Sequence, residues 1–369
     1  MNTINAQQEN SSKKEAEHAQ NTVKKIGLNG RDGPYIINDT LYRVNSKNQL
    51  LKNVRFESDS IGVIADNEDS NTFYVSLKEN YHIPPSEYEM PNKLVVISDI
   101  EGKYDAFACF LYSNKVIDEN HDWIFGKGHL ILVGDFVDRG KNVTQVLWLI
   151  YKLEQEALAS GGQVHFILGN HEVLNFKGDY RYNREKYINV AREISGLTDK
   201  SEALKYLYSN RAVLGEWLAT KNVIEKIGEY LFVHAGLSPE LLDFKLSLED
   251  INHTVRQQFH NSEDYDNSTL AFLYSSKGPF WYRGLVLSRP NYSKIEFSEL
   301  EKILTYYDAD KIIIGHTPVR TISTDYEGKV IRTDVAHGIK KFSGKTKGLL
   351  IKDGVTYIID DKGKKMLLR

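Results

Sequence analysis

The chain has 369 residues, of which 41% are hydrophobic and 26% are charged, as in a globular protein with one large domain and a smaller module. The formal net charge of −3 gives no electrostatic case for a nucleic-acid or membrane partner. The single cysteine, Cys109, excludes an intramolecular disulfide and a thiolate zinc cluster, and no segment is apolar over the roughly 18 residues of a membrane span.

The N-terminal quarter differs in composition from the rest. Residues 1–30 are rich in Asn, Gln, Glu, Lys and Ser, so we expect a disordered or loosely ordered polar tail without a secretion signal. We therefore expect the protein in the cytoplasm. The alternative is an exported protein whose signal peptide has been removed. Residues 31–90 contain short β-rich runs between Asn, Asp and Gly turns, which predicts a small β-rich N-terminal module. Its strands either extend the main sheets or form a docking unit.

Five short apolar runs, each followed at once by a polar cluster, mark the large domain that we expect over residues 91–369. Such runs ending in glycine turns are typical of buried strands, and ligands of open α/β sheets bind at the carboxyl ends of strands. For any single cluster, ordinary turn chemistry is the simpler explanation. Together, however, the five strand ends bring hard oxygen and imidazole groups to one rim, which favours a metal site. These groups are Asp99, Glu101, Asp135, Asn170, His171, His234 and His316.

The segments between these runs show helical spacing of apolar residues. The clearest case is residues 175–230, where we expect a helical cap insertion above the rim. Further helices are expected at about 247–260 and 297–307, and residues 349–359 are typical of a closing hairpin. Asp334 and His337 follow the last predicted strand before that hairpin. They are either neighbours of the metal ligands or ordinary turn residues.

The donor set predicts a pair of divalent ions. Two ions about 3.5–4 Å apart can share a hydroxide and clamp both oxygens of an in-line displacement. Ions that close need a bridging carboxylate to screen their repulsion, and Asp135, from the middle strand, is the predicted bridge. The remaining candidates divide between the ions: Asp99 and Glu101 for the first, and Asn170, His234 and His316 for the second.

Three neighbouring residues fit catalytic roles beside such a metal pair. His171 directly follows a ligand and fits a general acid that protonates the leaving alkoxide. Asp138 could hold the His171 imidazole in the productive tautomer. Arg139 could grip a phosphoryl group with two hydrogen bonds, and Asn170 could contact the same group. The site as a whole fits a phosphate monoester substrate.

These motifs resemble those of a known family. Gly-Asp-Phe-Val-Asp-Arg-Gly at 134–140, Gly-Asn-His-Glu at 169–172 and His-Ala-Gly-Leu-Ser-Pro-Glu-Leu at 234–241 resemble the phosphoprotein phosphatase family of calcineurin-like metallophosphoesterases. The resemblance covers most of residues 92–355. Gly-Pro-Phe-Trp-Tyr-Arg-Gly at 278–284 is similar to a segment of the bacterial-like branch, which includes the Shewanella-like phosphatases. In that branch the arginine of this segment is a second residue that binds the phosphate. The resemblance therefore implies that Arg283 binds phosphate together with Arg139. Alternatively, Arg283 is a surface arginine beside an aromatic turn.

The resemblance implies an α/β fold, a two-sheet sandwich flanked by helices with a binuclear site at one rim. It implies hydrolysis of phosphate monoesters by metal-activated hydroxide, with a serine/threonine or tyrosine protein phosphatase as the first expectation. The expected partner is thus a phosphoprotein or small phosphomonoester, without nucleic acid or membrane. The sequence leaves the oligomeric state open.

One motif departs from the family pattern. The family has Asp-x-His-Gly where this chain has Asp99-Ile100-Glu101-Gly102. A carboxylate in place of imidazole makes the first metal site all-oxygen, which shifts its preference from iron or zinc towards manganese or magnesium. We therefore expect two divalent ions, manganese first. There are two alternatives: a site that holds only one ion tightly, and a scaffold without catalytic activity. The presence of His171, Asp138 and Arg139 argues against the scaffold.

The sequence is also compatible with three other functions. A nucleotide or dinucleoside polyphosphate hydrolase shares two of the motifs. A nucleic-acid end-processing phosphatase would need a basic stripe that the sequence lacks. A non-catalytic binding protein could keep the fold. In addition, Arg-Tyr-Asn-Arg at 181–184 either contacts a phosphotyrosyl or acidic substrate or forms a solvated helix face.

Overall fold

A computed structural model describes residues 27–54, 58, 60–259 and 268–369. Two six-stranded sheets form its centre, in the orders β17-β16-β15-β7-β8-β9 and β13-β14-β12-β11-β10-β6. In the first sheet β7, β8 and β9 run parallel, and in the second β11, β12 and β14 do so. The carboxyl ends of β7, β8 and β9 therefore meet at one edge of their sheet. The strands of the two sheets are β6 Glu87–Tyr88, β7 Lys93–Ile97, β8 His129–Val133, β9 Gln163–Ile167, β10 Ile224–Ile227, β11 Tyr230–Val233, β12 Lys311–Ile314, β13 Ser323–Asp325, β14 Val330–Arg332, β15 Lys347–Lys352, β16 Val355–Asp360 and β17 Lys365–Leu367.

The core strands are buried on both faces, which explains why they lack polar alternation. Along β7, Leu94 and Val96 join one apolar cluster, whereas Val95 and Ile97 join another. Successive side chains of a strand point to opposite faces, so the first cluster fills the space between the sheets and the second lies beneath helices. The helices are α1 Tyr104–Ser113, α2 Val143–Ala159, α3 Asn170–Phe176, α4 Glu185–Ser195, α5 Lys200–Leu207, α6 Val213–Ala219, α7 Leu248–Arg256, α8 Ser268–Leu273 and α9 Phe297–Tyr306.

The N-terminal strands form two small sheets of their own. One has the order β1-β2-β3 (Asp32–Ile37, Thr40–Val44, Leu50–Val54), and the other pairs β4 with β5 (Ser60–Ile64, Thr72–Ser76). Side chains from both small sheets, such as Ile36, Leu41 and Val63, nevertheless belong to the same cluster as the core of the large sheets, and Trp148 on α2 donates a hydrogen bond to the Pro34 carbonyl at 2.8 Å. The β-rich N-terminal region is thus confirmed, and it shares its core with the rest of the chain. The division at residues 30 and 90 stays a prediction.

Two predicted ranges differ from the structure. Residues 1–26 of the expected polar tail lie outside the described residues, whereas Leu28 is buried and so does not belong to a loose tail. The helical range 175–230 ends early, because β10 at Ile224–Ile227 pairs antiparallel with β11 in a short hairpin. Within this range, α4 and α5 pack on the N-terminal sheet, as Val190, Ala203 and Leu207 share a cluster with β1 and β2 residues. Trp217 and Leu218 on α6 belong to the main core cluster. Among the described helices, none combines the length and apolarity that crossing a membrane requires.

Phe73→Ala should destabilise the whole protein rather than the N-terminal region alone. Phe73 is fully buried and stacks near Tyr104 on α1, so its removal opens a cavity in the shared core. We expect the free energy of unfolding to fall by about 3–5 kcal/mol in one cooperative chemical-denaturation transition.

The matched control is Tyr74→Ala, because the Tyr74 side chain is 66% exposed on the same strand. This change should alter the free energy of unfolding by less than about 0.5 kcal/mol. A separate early transition in the Phe73 variant would instead contradict a shared core.

Candidate metal centre

Loops at the carboxyl ends of five strands build the site. Its residues follow β7 (Asp99, Glu101), β8 (Asp135, Asp138), β9 (Asn170, His171), β11 (His234) and β12 (His316). Backbone hydrogen bonds continue beyond the paired strands: Asp99 donates to the Gly134 carbonyl and Glu101 to the Asp135 carbonyl, both at 2.9 Å. The loops after β7 and β8 are therefore locked to each other.

The backbone at the site is held in an uncommon conformation. Asp99, Asp135 and His316 have φ values of 53°, 60° and 61°, in the left-handed region that costs a non-glycine residue on the order of 1–3 kcal/mol. Gly169 is required for a different reason, since a Cβ there would collide with the Asp135 carboxylate. The backbone of these loops is therefore strained in the conformation that brings the side chains together.

Glu172 holds two of these loops in register. Its fully buried carboxylate accepts backbone hydrogen bonds from Gly169 at 2.8 Å, Asp135 at 3.0 Å and Phe136 at 2.8 Å. The loop after β8 and the start of α3 therefore share one anchor. The sequence motif contains this glutamate, but without the fold its role could not be assigned.

Three of the predicted ligands converge closely. The donor atoms of Asp135, His234 and His316, all buried, lie within 4.8 Å of one another, and no other such trio occurs in the described part of the chain. His234 Nε2 lies 3.1 Å from Asp135 Oδ2 and 3.1 Å from Asn170 Oδ1. Asn170 therefore adjoins the trio.

The ring nitrogens of the two histidines have different surroundings. His234 Nδ1 lies 2.9 Å from the Val133 carbonyl, so that Nδ1–H donates to this oxygen and Nε2 remains to bind a ligand. His316 Nε2 is buried without a hydrogen-bond partner. A buried polar atom without a partner is costly, and a metal ion would satisfy it. The residues present therefore fit a divalent cation.

The electrostatics of the trio agree with this fit. Burial alone would lower the pKa of His234, but the Asp135 carboxylate raises it to about 10. Burial would raise the pKa of Asp135, yet His234 and His171 hold it well below its ordinary value. The two side chains thus form an ion pair with the proton on His234, and a divalent cation binds in competition with that proton.

Asp99 and Glu101 line the same cavity but have other contacts. The buried Asp99 carboxylate accepts the His316 backbone N–H at 3.2 Å. Burial and then the neighbouring Asp334 raise the pKa of Asp99 well above its ordinary value. Glu101 forms ion pairs with Lys103 Nζ, at 2.9 Å, and with the Arg139 guanidinium. Neither belongs to the converging trio.

His171 and Asp138 form a buried pair beside the trio. His171 Nδ1 lies 2.8 Å from Asp138 Oδ2, and its Nε2 lies 3.6 Å from Asp135 Oδ2. Burial would lower the pKa of His171, but Asp135 and Asp138 overcome this effect and raise it. Asp138 is fixed in turn by the side-chain amides of Asn175, at 3.0 Å, and Asn183, at 2.7 Å. Asn175 was not identified from the sequence, whereas Asn183 lies in the 181–184 segment, for which a substrate contact was one expectation.

A cavity of about 340 Å³ opens above these groups and contains both predicted phosphate clamps. Arg283 donates to the His316 carbonyl at 2.8 Å, and the Arg139 guanidinium lies 5.1 Å from the centre of the Tyr182 ring. Tyr182 precedes α4 and so is not on a solvated helix face; its ring stacks on His171 at 4.6 Å. Further lining residues are Asp99, Glu101, Lys103, Asp135, Asn170, Trp281, His316, Pro318, Asp334, Val335, Ala336 and His337.

Comparison with known proteins agrees with this geometry. Residues 93–320 match the model of the calcineurin-like phosphoesterase family, which is a class of metal-dependent phosphoesterases. The chain belongs to this family. The predicted family, α/β fold class and metal-dependent phosphatase class are confirmed, and divalent metal ions are implied as cofactors. The roles of the individual site residues stay predictions.

Several relatives are similar over most of the chain. The Shewanella-like protein phosphatase 1 of Plasmodium berghei is 31% identical over 245 residues, which span 65% of each chain. The Shewanella-like protein phosphatase 2 of Arabidopsis thaliana is 24% identical over 68% of this chain and 72% of its own length. The crystal structure of a cold-active protein-tyrosine phosphatase from a psychrophilic Shewanella species is 30% identical, with a TM-score of 0.80 over 92% of this chain and 100% of that one.

Asp135→Asn should abolish tight metal binding. This change removes the negative charge of the one carboxylate in the trio, while the side chain keeps nearly the same shape. Elemental analysis of protein purified with Mn²⁺ is expected to find no bound metal, whereas Asp353→Asn, an exposed control in the left-handed region, should bind as the wild type does. If the Asp135 variant retained all of its metal, Asp135 would be excluded as a metal ligand.

Proposed function

We propose that the protein is a metal-dependent protein phosphatase that hydrolyses phosphate monoesters, aryl phosphates in particular. The observation that carries the proposal is the meeting of three groups at one cavity: the Asp135–His234–His316 trio, the His171–Asp138 pair and two arginines. Similarity to two Shewanella-like protein phosphatases and to a protein-tyrosine phosphatase of known structure supports a phosphoprotein substrate.

Asp135, Asn170, His234 and His316 would hold one divalent ion, and Asp99 with Asp135 would hold a second. Manganese is the first expectation, because the second position offers mainly carboxylate oxygens. Such ions, when bound, lower the pKa of a water molecule and neutralise phosphoryl charge. The cavity residues then have separate tasks, which are binding the phosphoryl group and protonating the leaving group.

Arg139 and Arg283 would bind the phosphoryl oxygens, since a guanidinium presents paired donors at the spacing of two such oxygens. His171 would donate a proton from Nε2 to the leaving oxygen while Asp138 accepts the hydrogen bond from Nδ1–H. The neighbouring carboxylates that raise the pKa of His171 favour its protonated form, as an acid requires.

Two aromatic side chains support a preference for aryl phosphates. Tyr182 and Trp281 both line the cavity, where Tyr182 stacks on His171 and Trp281 lies edge-on to His316 at 5.8 Å. An aromatic leaving group can contact such rings favourably, whereas the short alkyl chain of phosphoserine cannot. Phosphotyrosine is therefore the substrate that these contacts favour.

His171→Asn is expected to separate substrates by leaving group. Turnover of a phosphoserine peptide should fall by about 10²–10⁴-fold, because the alkoxide needs a proton. Turnover of p-nitrophenyl phosphate should fall much less, because nitrophenolate leaves without one. Metal content should stay unchanged. Equal losses on both substrates would contradict a general-acid role, and His253→Asn on α7 serves as the remote control.

A substrate screen with Mn²⁺ tests the function itself. Values of kcat/KM for phosphotyrosine, phosphoserine and phosphothreonine peptides are compared with those for dinucleoside polyphosphates. We expect phosphotyrosine peptides to be hydrolysed best. A preference for nucleotides would establish a nucleotide hydrolase instead, and the absence of phosphate release from every substrate would establish a binding protein.

Tyr182→Leu tests the aromatic contact within the same screen. The ratio of kcat/KM for phosphotyrosine to that for phosphoserine should fall about 3- to 10-fold, mainly through KM, because a ring contact is worth on the order of 1 kcal/mol. Tyr180→Leu is the control, since Tyr180 is exposed and does not line the cavity. An unchanged ratio in the Tyr182 variant would contradict the proposed contact.

A further inference from the structure

Glu101 stands where the family motif has a ligating histidine, yet both of its oxygens are paired with cations. Oε2 lies 2.9 Å from Lys103 Nζ, and Oε1 contacts Arg139 Nη1. Only 12% of the Glu101 side chain is exposed. A largely buried carboxylate with two cationic partners is already neutralised, and a metal ion would have to displace one of them in order to bind.

The other predicted ligands show the opposite arrangement. Asp135, His234 and His316 direct their donor atoms at one another, and Asn170 Oδ1 lies 3.1 Å from His234 Nε2. Four donors are thus ready for one ion. The neighbouring position offers Asp99 beside the shared Asp135, and Asp99 already accepts the His316 backbone N–H at 3.2 Å. The buried Asp334 carboxylate lines the same cavity but does not belong to the converging trio.

The cations beside Glu101 disfavour metal binding by its carboxylate. Lys103 and Arg139 place two positive charges directly at Glu101, while the carboxylates of Asp99, Asp135 and Asp334 line other parts of the same cavity. A metal ion bound by Glu101 would lie beside Lys103 or Arg139, and this repulsion is weakly screened in a partly buried site. Affinity at this position should therefore be lower than at the trio.

We propose that Glu101 is the counter-ion of Arg139 and Lys103 rather than a metal ligand, so that the protein holds one ion tightly and exchanges the second. The tight site is the one formed by Asp135, Asn170, His234 and His316. Glu101 then acts as a positioning residue, because its contact orients the Arg139 guanidinium in the cavity. This inference rests on the proposed function and specifies the metal stoichiometry of the same site.

Metal counting tests the proposal without reference to activity. The full chain is stripped with a chelator, loaded with Mn²⁺, passed through a desalting column and submitted to elemental analysis, with calorimetric titration of Mn²⁺ in parallel. The wild type should retain one ion and show a second, weaker binding step. Glu101→Gln should also retain one ion. Glu101→His should retain two, with the dissociation constant of the second step at least about 10-fold lower.

The outcomes separate the two proposals. Two tightly held ions in the wild type, one of them lost in Glu101→Gln, would overturn the counter-ion assignment while the proposed function stands. Failure of the wild type to bind Mn²⁺ at all would overturn both. Glu299→Gln, which breaks a remote glutamate–lysine pair on α9, is the matched control and should behave as the wild type. Retention of the tight ion by Glu101→Gln also shows that this variant is folded.

Discussion

The buried carboxylate of Glu172 is the constraint on which the site depends. By accepting backbone hydrogen bonds from Gly169, Asp135 and Phe136, it fixes the loop after β8 against the start of α3. Asp135 and Asn170 are carried by those two segments, so their separation follows from this one anchor. A buried acceptor with several N–H partners leaves the backbone little freedom. The left-handed conformation of Asp135 is retained because its surroundings determine it more strongly than its own preference does.

Asp135 is electrostatically central to the site because it lies near two histidines, His234 and His171. It raises the pKa of both His234 and His171, although burial opposes this in each case. His234 is directed into the trio by the Val133 carbonyl, whereas His171 is directed into the cavity by Asp138. One carboxylate thus faces both the proposed metal ligand and the proposed general acid. The two imidazoles are oriented differently because Nδ1 of each has a different partner.

Glu101, at the position of the histidine in the family motif, changes the distribution of charge in the site. A histidine at this position would bring a neutral ligand, whereas Glu101 brings an anion that Lys103 and Arg139 bind directly. Its carboxylate therefore links Arg139 to the loop after β7. A neutral imidazole at this position would not form these two ion pairs.

The sequence by itself determined the α/β fold class, the strand ends and the residues that gather at the cavity, because these depend on local patterns of apolar runs and glycine turns. The partners of those residues were decided only by the tertiary structure. Glu101 was expected to ligate a metal, and its pairing with Arg139 joins positions 38 residues apart. Tyr182 and Asn183 belong to a segment with two open interpretations, and only the fold places them, with Asn175, against the His171–Asp138 pair. The N-terminal strands likewise share a core with α1 and α2. Periodicity reports which face of an element is buried, but it carries no information on which distant side chain lies against that face.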